Sequence, residues 1–141
     1  MTIEEYLCQA LRLDQRINSL LREKEQMYRA CLSIRSPQMG ERVQESGSGE
    51  AAFVRGYEKV LEMDRMITEE IDRLYDLKQQ IHQVIGEVRD ANERMVLRDR
   101  YIHGMSCRQT AEEMGVDVRT IRRWHRSALE HAVLPKNPII A

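Results

Sequence analysis

The sequence is poor in the residues that break or staple a chain. Three Pro and seven Gly in 141 residues are few for the many turns of a β protein. Aromatic residues supply only 5 %, whereas Lys, Arg, Asp and Glu supply 32 %. A charged, Leu/Ile/Met-rich, Gly/Pro-poor chain has the composition of an α protein with long helices. The cysteines are three, Cys8, Cys31 and Cys107. An odd number at wide spacing gives neither a disulfide framework nor a metal motif, and reduced thiols are expected. No apolar run has the length needed to span a bilayer. Met1-Thr2-Ile3-Glu4-Glu5 has no hydrophobic signal core. The expectation is a soluble, cytoplasmic protein without a membrane partner.

Net charge is lacking too, at −1, so the whole-chain value announces no nucleic-acid partner. Its distribution says more. Residues 1–89 carry 13 Lys/Arg against 16 Asp/Glu, and residues 90–141 carry 9 against 7. The basic surplus lies in the last third.

Most of what is present is heptad pattern. Thr2 with Glu5 three residues later forms a capping box. From there Ile3, Tyr6, Ala10, Leu13, Ile17, Leu20, Lys24, Met27, Cys31 and Ile34 step three, four, three, four, which is a coiled-coil seam broken once, by Lys24. Ser36 to Gly49 has Pro, many small residues and no apolar period, so a loop is expected at about 35–50. A second seam follows: Tyr57, Val60, Asp64, Ile67, Ile71, Leu74, Lys78, Ile81, Ile85 and Val88. The predicted helix runs from about Ala51 to residues 86–89. Two such seams joined by one loop suggest an antiparallel hairpin, although the loop is long enough for helices that pair only in an oligomer. If the hairpin folds about residue 44, Lys24 and Asp64 fall opposite one another and fix the register; snorkelling of each to the seam's edge explains them equally. The seam reads as a structural arm or an oligomer interface.

Residues 90–132 break into three short helices. Asp90 precedes Glu93 as a cap and an N3 acid. Met95, Leu97, Tyr101 and Ile102 belong to a helix that stops at Gly104. Ser106 and Gln109 form another capping box, Gly115 ends the next helix as a left-handed residue, and Asp117 can cap the last, from Val118 to about Ala132. Ala111, Gly115 and Ile121 stand where a helix-turn-helix needs a small residue, a turn without Cβ and a branched apolar anchor, with Met114, Val116 and Trp124 filling the core. On the last helix Arg119, Arg122, Arg123 and Arg126 fall on one face, and Ile121, Trp124, Ala128 and Leu129 lie on another. Guanidinium groups pair bidentately with guanine edges and with phosphates, as an Arg face in the major groove requires. Thr120 is placed to reach a base or a phosphate, and Ser106, Arg108 and Gln109 open the preceding helix where phosphates are touched; for Ser106 and Gln109 capping alone is an equal reading. Trp124 reads as packing. The four histidines lack metal-site spacing. No nucleophile–base pair or phosphate loop stands out, so no cofactor, no metal and no enzyme activity are expected.

The runs Glu93 to Ser106, Ala111 to Val116 and Thr120 to Leu129 resemble region 4 of the sigma-70 family, whose helix-turn-helix reads the promoter −35 element. The layout of a heptad hairpin ahead of this module, with Tyr6-Leu7, Leu13 to Ile17 and Ile71 to Leu74, resembles small phage and prophage proteins related to ArpU-type late-gene regulators. The resemblance implies that Arg119, Thr120, Arg122, Arg123 and Arg126 contact DNA and that RNA polymerase is a further partner. Nothing corresponds to sigma region 2, so promoter melting is not expected.

The sequence thus predicts an all-α protein: a helical hairpin at 1–88, a three-helix, sigma region 4-like helix-turn-helix at 89–132, and a tail at 133–141. The expected function is a transcription regulator on double-stranded DNA, acting as a homo-oligomer, with a dimer favoured, through residues 3–34 and 57–88. Two other readings remain at this stage: a small terminase subunit that forms a ring, and an adaptor that binds RNA polymerase.

Overall fold

The computed structural model describes residues 1–35 and 46–141. They form α1 (Ile3–Arg35), α2 (Ser46–Gly86), α3 (Ala91–Leu97), a π-helical turn (Arg98–Ile102), α4 (Cys107–Met114) and α5 (Val118–His131). Among the described residues there is no strand, and the all-α expectation holds. Helix α2 begins at Ser46, not near Ala51, so Ser46–Gly49 are helical rather than loop. Each Gly costs about 1 kcal/mol against Ala in a helix, but extending an existing helix gains a hydrogen bond per residue. The loop expected at 36–45, and the Ile34 side chain, lie outside the described residues.

Two compact units form: residues 1–14 with 72–141, and residues 15–71. In the second unit α1 and α2 run antiparallel. Arg16 Nη2 meets Glu70 Oε2 at 2.8 Å, Lys24 Nζ meets Asp64 Oδ1 at 2.7 Å, and Cys31 Sγ donates to the Phe53 carbonyl at 3.3 Å. Lys24 and Asp64 therefore pair across the seam. Ile17, Cys31, Val60 and Ile67 are buried along it, while Tyr57 is 42 % exposed. The helices approach closely where Gly56 faces Cys31: a Cβ on Gly56 would lie 3.2 Å from Cys31 Sγ.

In the first unit the start of α1 pairs with the end of α2, through Lys78 Nζ to Asp14 Oδ2 at 3.2 Å and Tyr6 Oη donating to Gln80 Oε1 at 2.7 Å. The Thr2–Glu5 capping box is present in both directions. Here burial is wider than one seam. Leu7, Leu77 and Val84 are buried beside Tyr6, Ala10, Leu13, Ile81 and Ile85. The linker after α2 is held by Arg94, whose Nη1 donates to the carbonyls of Val88 and Arg89 at 2.6 and 2.8 Å.

Residues 133–141, read from the sequence only as a tail, are tied down by two glutamines. Gln9 donates to the Ile139 carbonyl and accepts from Ala141 N; Gln80 donates to the Asn137 carbonyl and accepts from Ile139 N, all at 2.9–3.0 Å. Each side-chain amide thus satisfies a donor and an acceptor of extended backbone that would otherwise need water.

Candidate nucleic-acid interface

The interface candidate rests on α4 and α5. Ser106 caps α4 as expected: its Oγ accepts from Gln109 N at 3.1 Å, and Gln109 Oε1 accepts from Ser106 N at 2.8 Å. Gly115 closes α4 at φ 69°, ψ 34°, a left-handed conformation that a Cβ disfavours. Asp117 has the extended backbone of an N-cap for α5, but its side chain makes no capping hydrogen bond. Only the Thr120 and Ile121 amides turn back onto its carbonyl, at 3.0 and 3.2 Å.

Val96, Ala111 and Ile121 form the buried centre, with Cys107, Met114, Val116, Val118 and Trp124 packed around it. Trp124 is thus a core side chain. Ala111 leaves the room in which α5 lies against α4, and Ile121 anchors α5 from the other side. With that face fixed, the opposite face of α5 is turned outward. Arg119, Arg122, Arg123 and Arg126 are all exposed. None of the four has a hydrogen bond or ion pair among the described residues. Thr120 is half-buried, and Arg108 and Gln109 are exposed at the start of α4. Capping uses Ser106 Oγ and Gln109 Oε1 as acceptors, which leaves the Ser106 hydroxyl proton and the Gln109 amide protons for a further acceptor.

Several polar residues to which sequence reasoning assigned no part in seating α5 hold it in place. Glu93, only 5 % exposed, is the N3 residue of α3, yet it does not reach back to its own cap. Asp90 alone caps α3, accepting from Asn92 N and Glu93 N at 2.8 and 3.1 Å. Glu93 instead crosses to α5, where Ser127 Oγ donates to its Oε1 at 2.6 Å and His131 Nδ1 lies 2.8 Å from its Oε2. That carboxylate holds the His131 pKa above its usual value. Glu87, Val88, Arg89, Asp90, Glu93 and His131 line a cavity of about 450 Å³. His125 stacks on Tyr101 with centroids 5.6 Å apart, and its Nε2 is 2.7 Å from Tyr101 Oη. Burial, helped by the Arg100 charge, pushes the His125 pKa down. Burial, and next the neighbouring Glu113 carboxyl, pushes the Asp99 carboxyl up. Glu93 was hidden because an N3 acid has a sufficient local explanation; its reach across to Ser127 and His131 becomes visible only once α3 and α5 are packed.

Among the described residues no three His, Cys, Asp or Glu side chains are grouped to hold a metal ion, and no helix is long and apolar enough to cross a membrane.

Residues 90–131 match the family Sigma-70, region 4. The matched stretch begins at the Asp90 cap and ends with α5, so it covers the whole helix-turn-helix. No curated protein and no solved structure gives a significant match to the chain. The C-terminal segment is therefore a sigma-region-4-like helix-turn-helix, a DNA-binding type of domain.

Proposed function

We propose that the protein is a sequence-specific, DNA-binding transcription regulator of phage or prophage type that lays α5 in the major groove. The observation that carries this reading is the outward face of α5, with four exposed guanidinium groups and no carboxylate partner among the described residues, on the second helix of a helix-turn-helix. Arg119, Thr120, Arg122, Arg123 and Arg126 are assigned to base edges and adjoining phosphates. Ser106, Arg108 and Gln109 are assigned to phosphates flanking the start of α4, which fix register but carry no sequence information. The regulator acts as a dimer, so its site contains two half-sites. RNA polymerase is a second partner by likeness to region 4.

Selection from a random duplex library at near-physiological salt tests the reading, and enrichment of a motif is expected. Arg122→Ala with Arg123→Ala should then weaken binding to that motif by about 1–3 kcal/mol for each side chain lost. The salt dependence should become shallower, with helicity unchanged. A folded protein that enriches nothing, or a double variant that binds the motif unchanged, refutes the assignment.

A further inference from the structure

The seam of the 15–71 unit is consumed within the chain, yet the helix pair still shows apolar side chains. Leu21, Tyr28 and Leu32 on α1 and Val54, Tyr57 and Leu61 on α2 are each 39–49 % exposed. Both triplets recur at three, four or seven residues, so each makes one stripe along its helix. At about 100° per residue, each stripe lies roughly 80–90° ahead of its own seam in the direction of increasing residue number. In an antiparallel pair these equal offsets fall on the same side. The two stripes therefore merge into one apolar face beside the seam. The opposite side carries the Arg16–Glu70 ion pair and one exposed apolar side chain, Met66.

We infer that a second copy of this chain covers this face, turning the helix pair of each copy into half of a four-helix bundle. This names the surface of the dimer in the proposed function and rests on that part of it. Three observations select a second copy. First, the exposed apolar surface is on the order of 400–500 Å² per copy, the scale at which a patch marks an interaction site; with its polar rim it approaches the roughly 800 Å² per partner of a standard interface. Second, two-fold symmetry about an axis along the helices sets each α1 stripe against the partner's α2 stripe, apolar on apolar along both halves. Third, the margins then match in charge. Beyond its stripe α1 carries Arg22 and Arg29, the latter bridged to Glu25 at 3.0 Å, and α2 carries Glu58, Glu62 and Glu69 against Arg55 and Arg65. A net positive margin meets a net negative one. Tyr57 is stacked on Phe53 at 6.0 Å, which presents it as a pre-ordered anchor.

The full chain, without DNA, should sediment at twice the chain mass. Tyr57→Glu and Leu61→Arg, each placing an unpaired charge in the interface, should weaken self-association at least about 100-fold with helicity kept, because both side chains are already exposed in one chain. Lys59→Glu, a charge change on the opposite side, should leave the mass unchanged. A monomer at all concentrations, a ring of many copies, or a dimer indifferent to Tyr57→Glu and Leu61→Arg overturns the inference. Binding to a single half-site separates this from the DNA assignment. Stripe variants that become monomers should retain it, whereas a dimer that recognises no DNA leaves the surface standing and removes the function.

Discussion

Ile121 is the side chain on which the orientation of α5 depends, and its truncation gives a magnitude that can be worked out. It is completely buried with Val96 and Ala111. Ile→Ala at such a site loses both transfer free energy and cavity contacts, about 2–5 kcal/mol. The surrounding Met114, Val116 and Trp124 are only partly buried and Met114 is unbranched, so the site can partly collapse. A value near 3 kcal/mol is therefore expected for Ile121→Ala and about 1 kcal/mol for Ile121→Val. Trp124 is the only Trp of the chain and lies against this cluster, so its fluorescence reports unfolding of this unit. With a urea m-value of about 2 kcal/mol/M, the midpoint should fall by about 1.5 M for Ala and about 0.5 M for Val. Equal midpoints for the two variants, or a shift under about 0.5 M for Ala, would refute the claim that this residue pins the helix.

Gly115→Ala meets no neighbouring atom within 4 Å, so its whole effect is the left-handed backbone. A loss of about 1–2 kcal/mol in the same fluorescence assay is expected, and an unchanged midpoint would show that the turn does not need this conformation. The two α5 histidines should give opposite pH dependences. His131 has its folded pKa above 6.5, so its contribution is complete below pH 6.5 and is lost as pH rises through the folded value; Glu93→Gln should remove that decline. His125 has its folded pKa below 6.5, so the unfolded chain binds the proton more readily and stability falls as pH drops from 6.5 through the folded value; His125→Gln should flatten that limb. Unfolding midpoints of wild type and variants from about pH 5 to 8 check both signs, and slopes unchanged in the variants would remove the assignment.

Features fixed by neighbours in the chain were legible in the sequence. The Thr2–Glu5 and Ser106–Gln109 boxes and the left-handed Gly115 need only three or four consecutive residues to define them, and each is found where its pattern stands. The Lys24–Asp64 pair was legible only in part: the hairpin register set the two residues opposite one another, but snorkelling explained each equally until the 2.7 Å contact was seen. Features fixed by distant packing were not legible. Leu7, Leu77 and Val84 lie off the heptad seams, yet they are buried because the first unit covers their helices on more than one face. Tyr57 lies on the predicted seam, yet it is exposed. The Gln9 and Gln80 amides carry no local pattern pointing to a tail some 130 and 57 residues away. The helical start at Ser46 was masked by Gly and Ser, whose local preference is weaker than the continuation of a long helix.

The arginine face shows the same division from the side of charge. Periodicity alone puts Arg119, Arg122, Arg123 and Arg126 on one side of α5. It does not say whether Glu112, Glu113 or Asp117, all nearby in sequence and exposed, fold back to neutralise them. Among the described residues they do not: no carboxylate pairs with these arginines. The carboxylate buried between α3 and α5, Glu93, faces Ser127 and His131 instead. Screening makes this local arrangement decisive, since charges more than about 10 Å apart are largely hidden from one another at 0.1 M salt. A phosphate arriving at α5 therefore meets four guanidinium groups and not the chain's net −1. A near-neutral protein is thus compatible with a cationic recognition face, provided its acids are placed along the helical arm or buried as hinges between helices. The composition of the chain could not report this; the packing of Glu93 and the exposure of the α5 arginines do.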